Sequence, residues 1–144
     1  MRNGKIKKAL ALCLALCLTM GSIPTVSAVE VANPGVSMPY TLYIGDQSCS
    51  LTISGKTAKV KAWVEGYSGE ATKCKVYAIL QRLSEQGTWV LVDSWGDQQN
   101  GTRASVSETA TVTTGTTYRV KATVTVWAGD EYETMTIYSD SVMA

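Results

Sequence analysis

Few side chains in this 144-residue sequence have the type and spacing that chemistry needs; the most suggestive are two carboxylates and two thiols. Glu131 and Glu133 lie two apart on one strand face, which puts their carboxylates about 7 Å apart, within the range that inverting glycosidases use. They also follow the Gly129-Asp130 turn on what reads as an edge strand, where charges keep a sheet from pairing with a neighbour, and that is their expected role. The chain has no histidine. Ser-His-Asp, Cys-His and His-based zinc chemistry are therefore excluded, and a thiol at Cys49 or Cys74 has no imidazole to activate it. Asp93 and Asp97 with nearby carbonyls sketch a calcium site, but no Asp-rich loop of the helix-loop-helix type accompanies them. The expectation is a protein that is not an enzyme, with no catalytic residue, no metal site and no cofactor.

The feature above background is aromatic, with four Trp and seven Tyr but no Phe. Trp63 and Tyr77 fall on the parity opposite to the aliphatic series. Trp89 and Trp95 share a parity with Asp93, while Val90 and Val92 take the other. Exposed rings of this kind offer a flat apolar face with a polar edge, which suits sugar rings and protein partners alike. Trp63, Tyr77, Trp89 and Trp95 are thus candidate ligand-binding residues, against the plainer expectation that Trp and Tyr fill the ends of a fold lacking Phe. Trp63 is the best single candidate, because it interrupts a solvent face of Lys59, Lys61 and Glu65; Trp127 merely continues a long central strand.

The elements that must position these residues follow a period of two. Cys49, Leu51 and Ile53 alternate with polar residues, as do Ala58 to Val64 and Val76 to Leu80. Thr88 to Trp95, Arg103 to Val112, Thr116 to Trp127 and Glu131 to Val142 carry strand formers at similar density, separated by turns at Gly87, Asn100-Gly101, Gly115 and Gly129. Seven short strands, each with one apolar face, predict an all-β, antiparallel two-sheet sandwich over residues 48–144. Val120, Ala122, Val124 and Val126 make Tyr118–Val126 its central strand.

The approach Gly115-Thr116-Thr117-Tyr118 resembles the Gly-Thr-x-Tyr entry to the sixth strand of fibronectin type III domains, where the Tyr hydroxyl ties the preceding corner to the sheet, as in Ig-like domains. The likeness is weaker in the first half, since the inward Trp usual on the second strand is replaced by Trp63, which faces out. Together with Leu80-Gln81 and Trp89–Trp95, these segments resemble a family of small, uncharacterised secreted β-sandwich proteins of Gram-positive bacteria. That resemblance implies export and brings no catalytic residues.

Export is also written at the N-terminus. Arg2, Lys5, Lys7 and Lys8 form a basic segment, Ala9–Met20 is nearly all apolar, and Val26-Ser27-Ala28 presents a cleavage site, so residues 1–28 read as a signal peptide. Its apolar run is too short and too interrupted to remain as a membrane span. Residues 29–47, with Pro34, Gly35 and Pro39, read as an extended leader. Removing the signal takes four of the 13 basic residues and none of the 12 acidic ones, for a net charge near −3, which is no nucleic-acid footprint. Outside the cell, Cys49 and Cys74 are expected to form a disulfide, if the first three strands run up, down and up so that both sit at strand starts at one end. Such a bridge would be worth roughly 3.5 kcal/mol. Three functions from different classes follow: a secreted, non-catalytic module binding an extracellular glycan or protein, an antagonist such as a bacteriocin or enzyme inhibitor, and, least favoured, an enzyme.

Overall fold

The computed structural model describes residues 41–144; the expected signal peptide and the leader as far as residue 40 lie outside them. The described chain is all-β, in strands β1 (Ile44–Ser54), β2 (Thr57–Gly66), β3 (Lys73–Leu83), β4 (Trp89–Asn100), β5 (Arg103–Thr111), β6 (Thr117–Ala128), β7 (Glu131–Tyr138) and β8 (Val142–Met143). They form two antiparallel sheets, one of three strands in the order β1-β2-β5 and one of five in the order β4-β3-β6-β7, with β8 also on β6.

The period of two dictates this arrangement. On β2, Ala58, Val60, Ala62 and Val64 are buried; on β3, Cys74, Val76, Ala78 and Leu80; on β6, Tyr118, Val120, Ala122, Val124 and Val126. Each strand thus has one apolar face, and the two sheets bury those faces against each other in a single cluster that also takes in Ile44, Ala104 and Val106. Tight turns set the registers: Ser54 pairs with Thr57 around Gly55, whose φ of 59° suits a residue without a Cβ. The Asn100-Gly101 pair does not close a hairpin; it carries the chain from β4 in the five-stranded sheet to β5 in the three-stranded one.

Three departures from the sequence reading are local irregularities. Eight strands stand where seven were expected, because the last one is interrupted. Tyr138 pairs with Lys121 but Met143 pairs with Thr117, a register one residue longer. At the break the Ser139 side chain accepts the Val120 N–H at 2.8 Å in place of a ladder carbonyl. The first strand begins at Ile44, ahead of Ser48, with a bulge at Gly45. A third bulge, at Val92, leaves Asp93 opposite Leu80 and Leu91 opposite Gln81.

Two expectations about named residues hold. Tyr118 is buried, and its hydroxyl accepts the Thr113 N–H at 2.8 Å, tying the corner before β6 to the sheet. Trp63 lies on the outer face of β2, between the inward Ala62 and Val64, because the β2 pairings with β1 and β5 run unbroken past it.

Candidate functional site

The acidic candidates are engaged in holding the sheets together. Glu133 on β7 accepts the backbone N–H groups of Tyr43 (2.8 Å) and Ile44 (3.1 Å), and Glu131 accepts the Tyr43 hydroxyl. That hydrogen bond raises the Tyr43 pKa, since the phenol must keep its proton to donate. At the opposite edge Asp97 on β4 accepts the Ser105 N–H of β5 at 3.0 Å and the Gln99 side-chain amide at 2.7 Å, and these bonds hold its carboxyl below the usual range. Asp93 accepts its neighbour's amide, Ser94 N–H, at 2.8 Å. Each open edge of the sandwich is thus clamped by a carboxylate reaching from one sheet to the backbone of the other. Glu131 and Glu133 do more than repel a neighbouring edge: both accept hydrogen bonds from Tyr43, at the start of the other sheet.

Cys49 and Cys74 are not joined; both are free. Cys49 is the sixth residue of β1 because that strand starts at Ile44, and its thiol lies 3.8 Å from the Val120 carbonyl. Cys74 is in the other sheet, paired with Val126, and its thiol lies 3.5 Å from the Gly101 carbonyl. Val120 and Val126 are six residues apart on β6, about 20 Å, so no disulfide spans the gap. Ile44, not Cys49, occupies the level of Cys74. Burial pushes the Cys49 thiol up to about 11 and raises that of Cys74, which leaves both poor nucleophiles.

The aromatic candidates do not form one patch. Trp63 is on the outer face of the three-stranded sheet, half-buried beneath the Arg103 guanidinium, 4.5 Å from the ring centroid; Arg103 also pairs with Glu65 at 3.0 Å. Trp95 points inward: it pairs with the buried Ala78 and packs against the core. Trp89 pairs with Leu83 and faces out, so the Val92 bulge places Trp89 and Trp95 on opposite faces although their numbers share a parity. Tyr77 is outward on β3.

The outer face of the five-stranded sheet gathers Tyr77 and Trp89 with residues that the sequence did not single out. At one end Lys73 lies 4.1 Å from the centroid of the Trp127 ring, and Tyr132 packs against that ring at 6.2 Å. At the other, the Arg119 guanidinium lies between Trp89 (4.1 Å) and Tyr138 (4.7 Å), while its Nε donates to Gln81 at 3.0 Å. Tyr77, paired with Thr123, stands between these ends. Thr123 is four residues from both Trp127 and Arg119, so the three aromatic stations are spaced by about 13 Å. Tyr132, Tyr138 and Tyr77 are 65%, 51% and 40% exposed, and Thr125, Thr134 and Thr136 fill the rows between them. The chemistry this arrangement offers is stacking and hydrogen bonding to a ligand laid along the sheet.

Against known proteins, the chain matches no family model, and no curated protein is similar to it at a significant level.

Proposed function

We propose that this protein is an exported, non-catalytic carbohydrate-binding module and that the outer face of its five-stranded sheet holds the glycan. The observation that carries the reading is the row of three aromatic stations with threonine hydroxyls between them. Stacked rings suit the apolar faces of sugars, and flanking hydroxyls suit their rims. The face is built on strands, so it presents these groups without a loop to order. Export is supported by the basic segment, apolar run and small-residue site at the N-terminus.

The architecture is read as an Ig-like sandwich of the fibronectin type III kind. Relative to the Ig constant arrangement, β1-β2-β5 correspond to its A, B and E strands and β3-β6-β7 to its C, F and G, with the fourth strand moved to the edge of the second sheet. The Tyr118 corner supports the same assignment.

Affinity electrophoresis of the mature chain through gels holding soluble polysaccharides tests the function. Tyr77→Ala and Trp127→Ala are each expected to weaken retardation by about 1–3 kcal/mol, with melting temperatures nearly unchanged, because both rings lie outside the core. Trp63→Ala, on the other sheet, is expected to bind as the wild type does. Loss of retardation with Trp63→Ala alone, or no retardation by any polysaccharide, would overturn the assignment.

A further inference from the structure

The charges of the five-stranded sheet are sorted by face. Its strands contain five basic residues, Lys73, Lys75 and Arg82 on β3 and Arg119 and Lys121 on β6, of which all but Arg82 are on the outer face. They contain four carboxylates, Asp93 and Asp97 on β4 and Glu131 and Glu133 on β7. The registers put all four on the core-facing parity: Asp93 opposite Leu80, Asp97 opposite Val76, Glu133 opposite Val126, and Glu131 opposite Ala128. Among the described residues of this sheet, the outer face therefore carries four positive charges and no negative one. It does so in a chain that is net acidic once its expected signal is removed.

From this sorting we infer that the ligand is an acidic polysaccharide whose sugar units carry carboxylates. The inference rests on the carbohydrate-binding reading above and narrows it. The cations do not converge on one point, as a compact multivalent anion would require. Lys73 and Lys75 sit at one end of the face and Lys121 and Arg119 at the other, strung over about 25 Å, which matches a polymer with charge repeated along its length. Arg119 is prepared for a planar anion. Two rings and the Gln81 carbonyl fix its plane and occupy Nε, leaving the terminal nitrogens as a fork of the shape a carboxylate accepts. The tyrosines interleaved with these cations stack on the sugar rings while the cations meet the carboxylates, so one chain satisfies both sets of groups. A neutral glycan would leave the four cations without a counter-charge on this face.

Polygalacturonate and its fully methyl-esterified form share a sugar backbone and differ in charge, which makes them a direct pair of probes. The mature protein is expected to bind polygalacturonate about tenfold or more tightly than the ester. The affinity should fall as ionic strength rises to about the physiological range, where charges are screened beyond ~8 Å. Lys75→Gln with Lys121→Gln, both surface changes, takes two of the four cations from the face and should reduce the preference for the acid form severalfold; Tyr77→Ala should weaken binding of both forms. Equal affinity for acid and ester, with Tyr77→Ala still weakening each, would overturn the acidic ligand and keep the carbohydrate site. Binding of neither probe, together with none to the neutral polysaccharides, would overturn both. An undiminished preference for acid in the double Lys variant would overturn the assignment of charge recognition to this face.

Discussion

Gly66 and Gly96 both lie within or at the end of strands, and the structure assigns them opposite tolerance. Gly66 ends β2 with ordinary backbone torsions, so its need for glycine is one of space. A Cβ there would meet the Ala71 Cβ at 2.4 Å, Val126 Cγ1 at 2.8 Å and the Tyr43 carbonyl at 3.2 Å. Two of these are closer than atoms can approach. Val126 belongs to the core, and Tyr43 is fixed by its carbonyl's bond from the Tyr67 N–H at 3.0 Å. Gly66→Ala should therefore behave as overpacking at the upper end of its range, about 3 kcal/mol. In a domain of this size that lowers the melting temperature by about 10–20 °C. At Gly96 the nearest atoms are Tyr77 Cδ2 at 3.4 Å and the Val76 carbonyl at 3.5 Å, ordinary contacts on the outer face. Gly96→Ala restricts the unfolded chain and should leave stability unchanged or raise it by ~0.5–1 kcal/mol. Urea and thermal unfolding followed by tryptophan fluorescence would measure both. Adding Ala71→Gly to Gly66→Ala removes the tightest clash but not the other two, so it should recover only part of the loss, with a coupling above ~0.5 kcal/mol. A Gly66→Ala protein melting within about 2 °C of the wild type would refute the packing of β2 against β6 at this end.

Three further outcomes follow from the same contacts. Tyr118→Phe keeps the buried ring but leaves the Thr113 N–H without its acceptor, and should cost about 1–2 kcal/mol by urea denaturation; an unchanged midpoint would mean that water takes the hydroxyl's place. Mass spectrometry of exported protein, unfolded without reductant, should find Cys49 and Cys74 both alkylated, and native labelling should be slow at neutral pH and quicken as pH rises toward about 11; a peptide pair lighter by two hydrogens would contradict the placement of the two thiols. Because Asp97 titrates lower in the folded chain than when unfolded, its contribution is present above the unfolded value of about 3.9 and lost as pH falls through the folded one. Asp97→Asn should thus be less stable than wild type at neutral pH and indistinguishable in strong acid, and a constant difference across that range in pH-dependent melting would refute the clamp.

The all-β class, the ends of β2, β5 and β6 and the Tyr118 corner were legible because they depend on near neighbours: an alternating run, a glycine at a turn, a Gly-Thr-x-Tyr approach. The disulfide failed on one boundary. Placing the start of β1 at Ser48 made Cys49 a strand end, whereas Ile44 and the Gly45 bulge carry the strand further back and leave Cys49 in its middle. Val92 failed for a similar reason. A bulge inverts every parity beyond it, and the one sign of it in the sequence is that Val90, Leu91 and Val92 stand together where a half-buried strand should alternate.

The candidate site was less legible, since a period of two tells which side of its own strand a residue takes but not which residues lie beside it. Lys73, Trp127 and Tyr132 come together because β6 lies between β3 and β7, and Trp89, Arg119 and Tyr138 because β4, β3, β6 and β7 lie in that order. Read strand by strand, Trp127 looked like the end of a core strand and Trp63 like the anomaly; laid side by side, Trp63 is alone among serines, threonines and charges while Trp127 belongs to a row. One signal was nonetheless in the sequence. The segments 73–83 and 117–128 contain five basic residues and no acidic one, and two strands paired with each other turn such a bias into a single charged face. Like charges two apart on one strand face, Lys73 with Lys75 and Arg119 with Lys121, repel, so the bias lowers the stability of the sheet unless something offsets it. Trp127, Trp89 and Tyr138 offset it for Lys73 and Arg119 by covering them with rings, and for Lys75 and Lys121 the offset we assign is the acidic ligand itself.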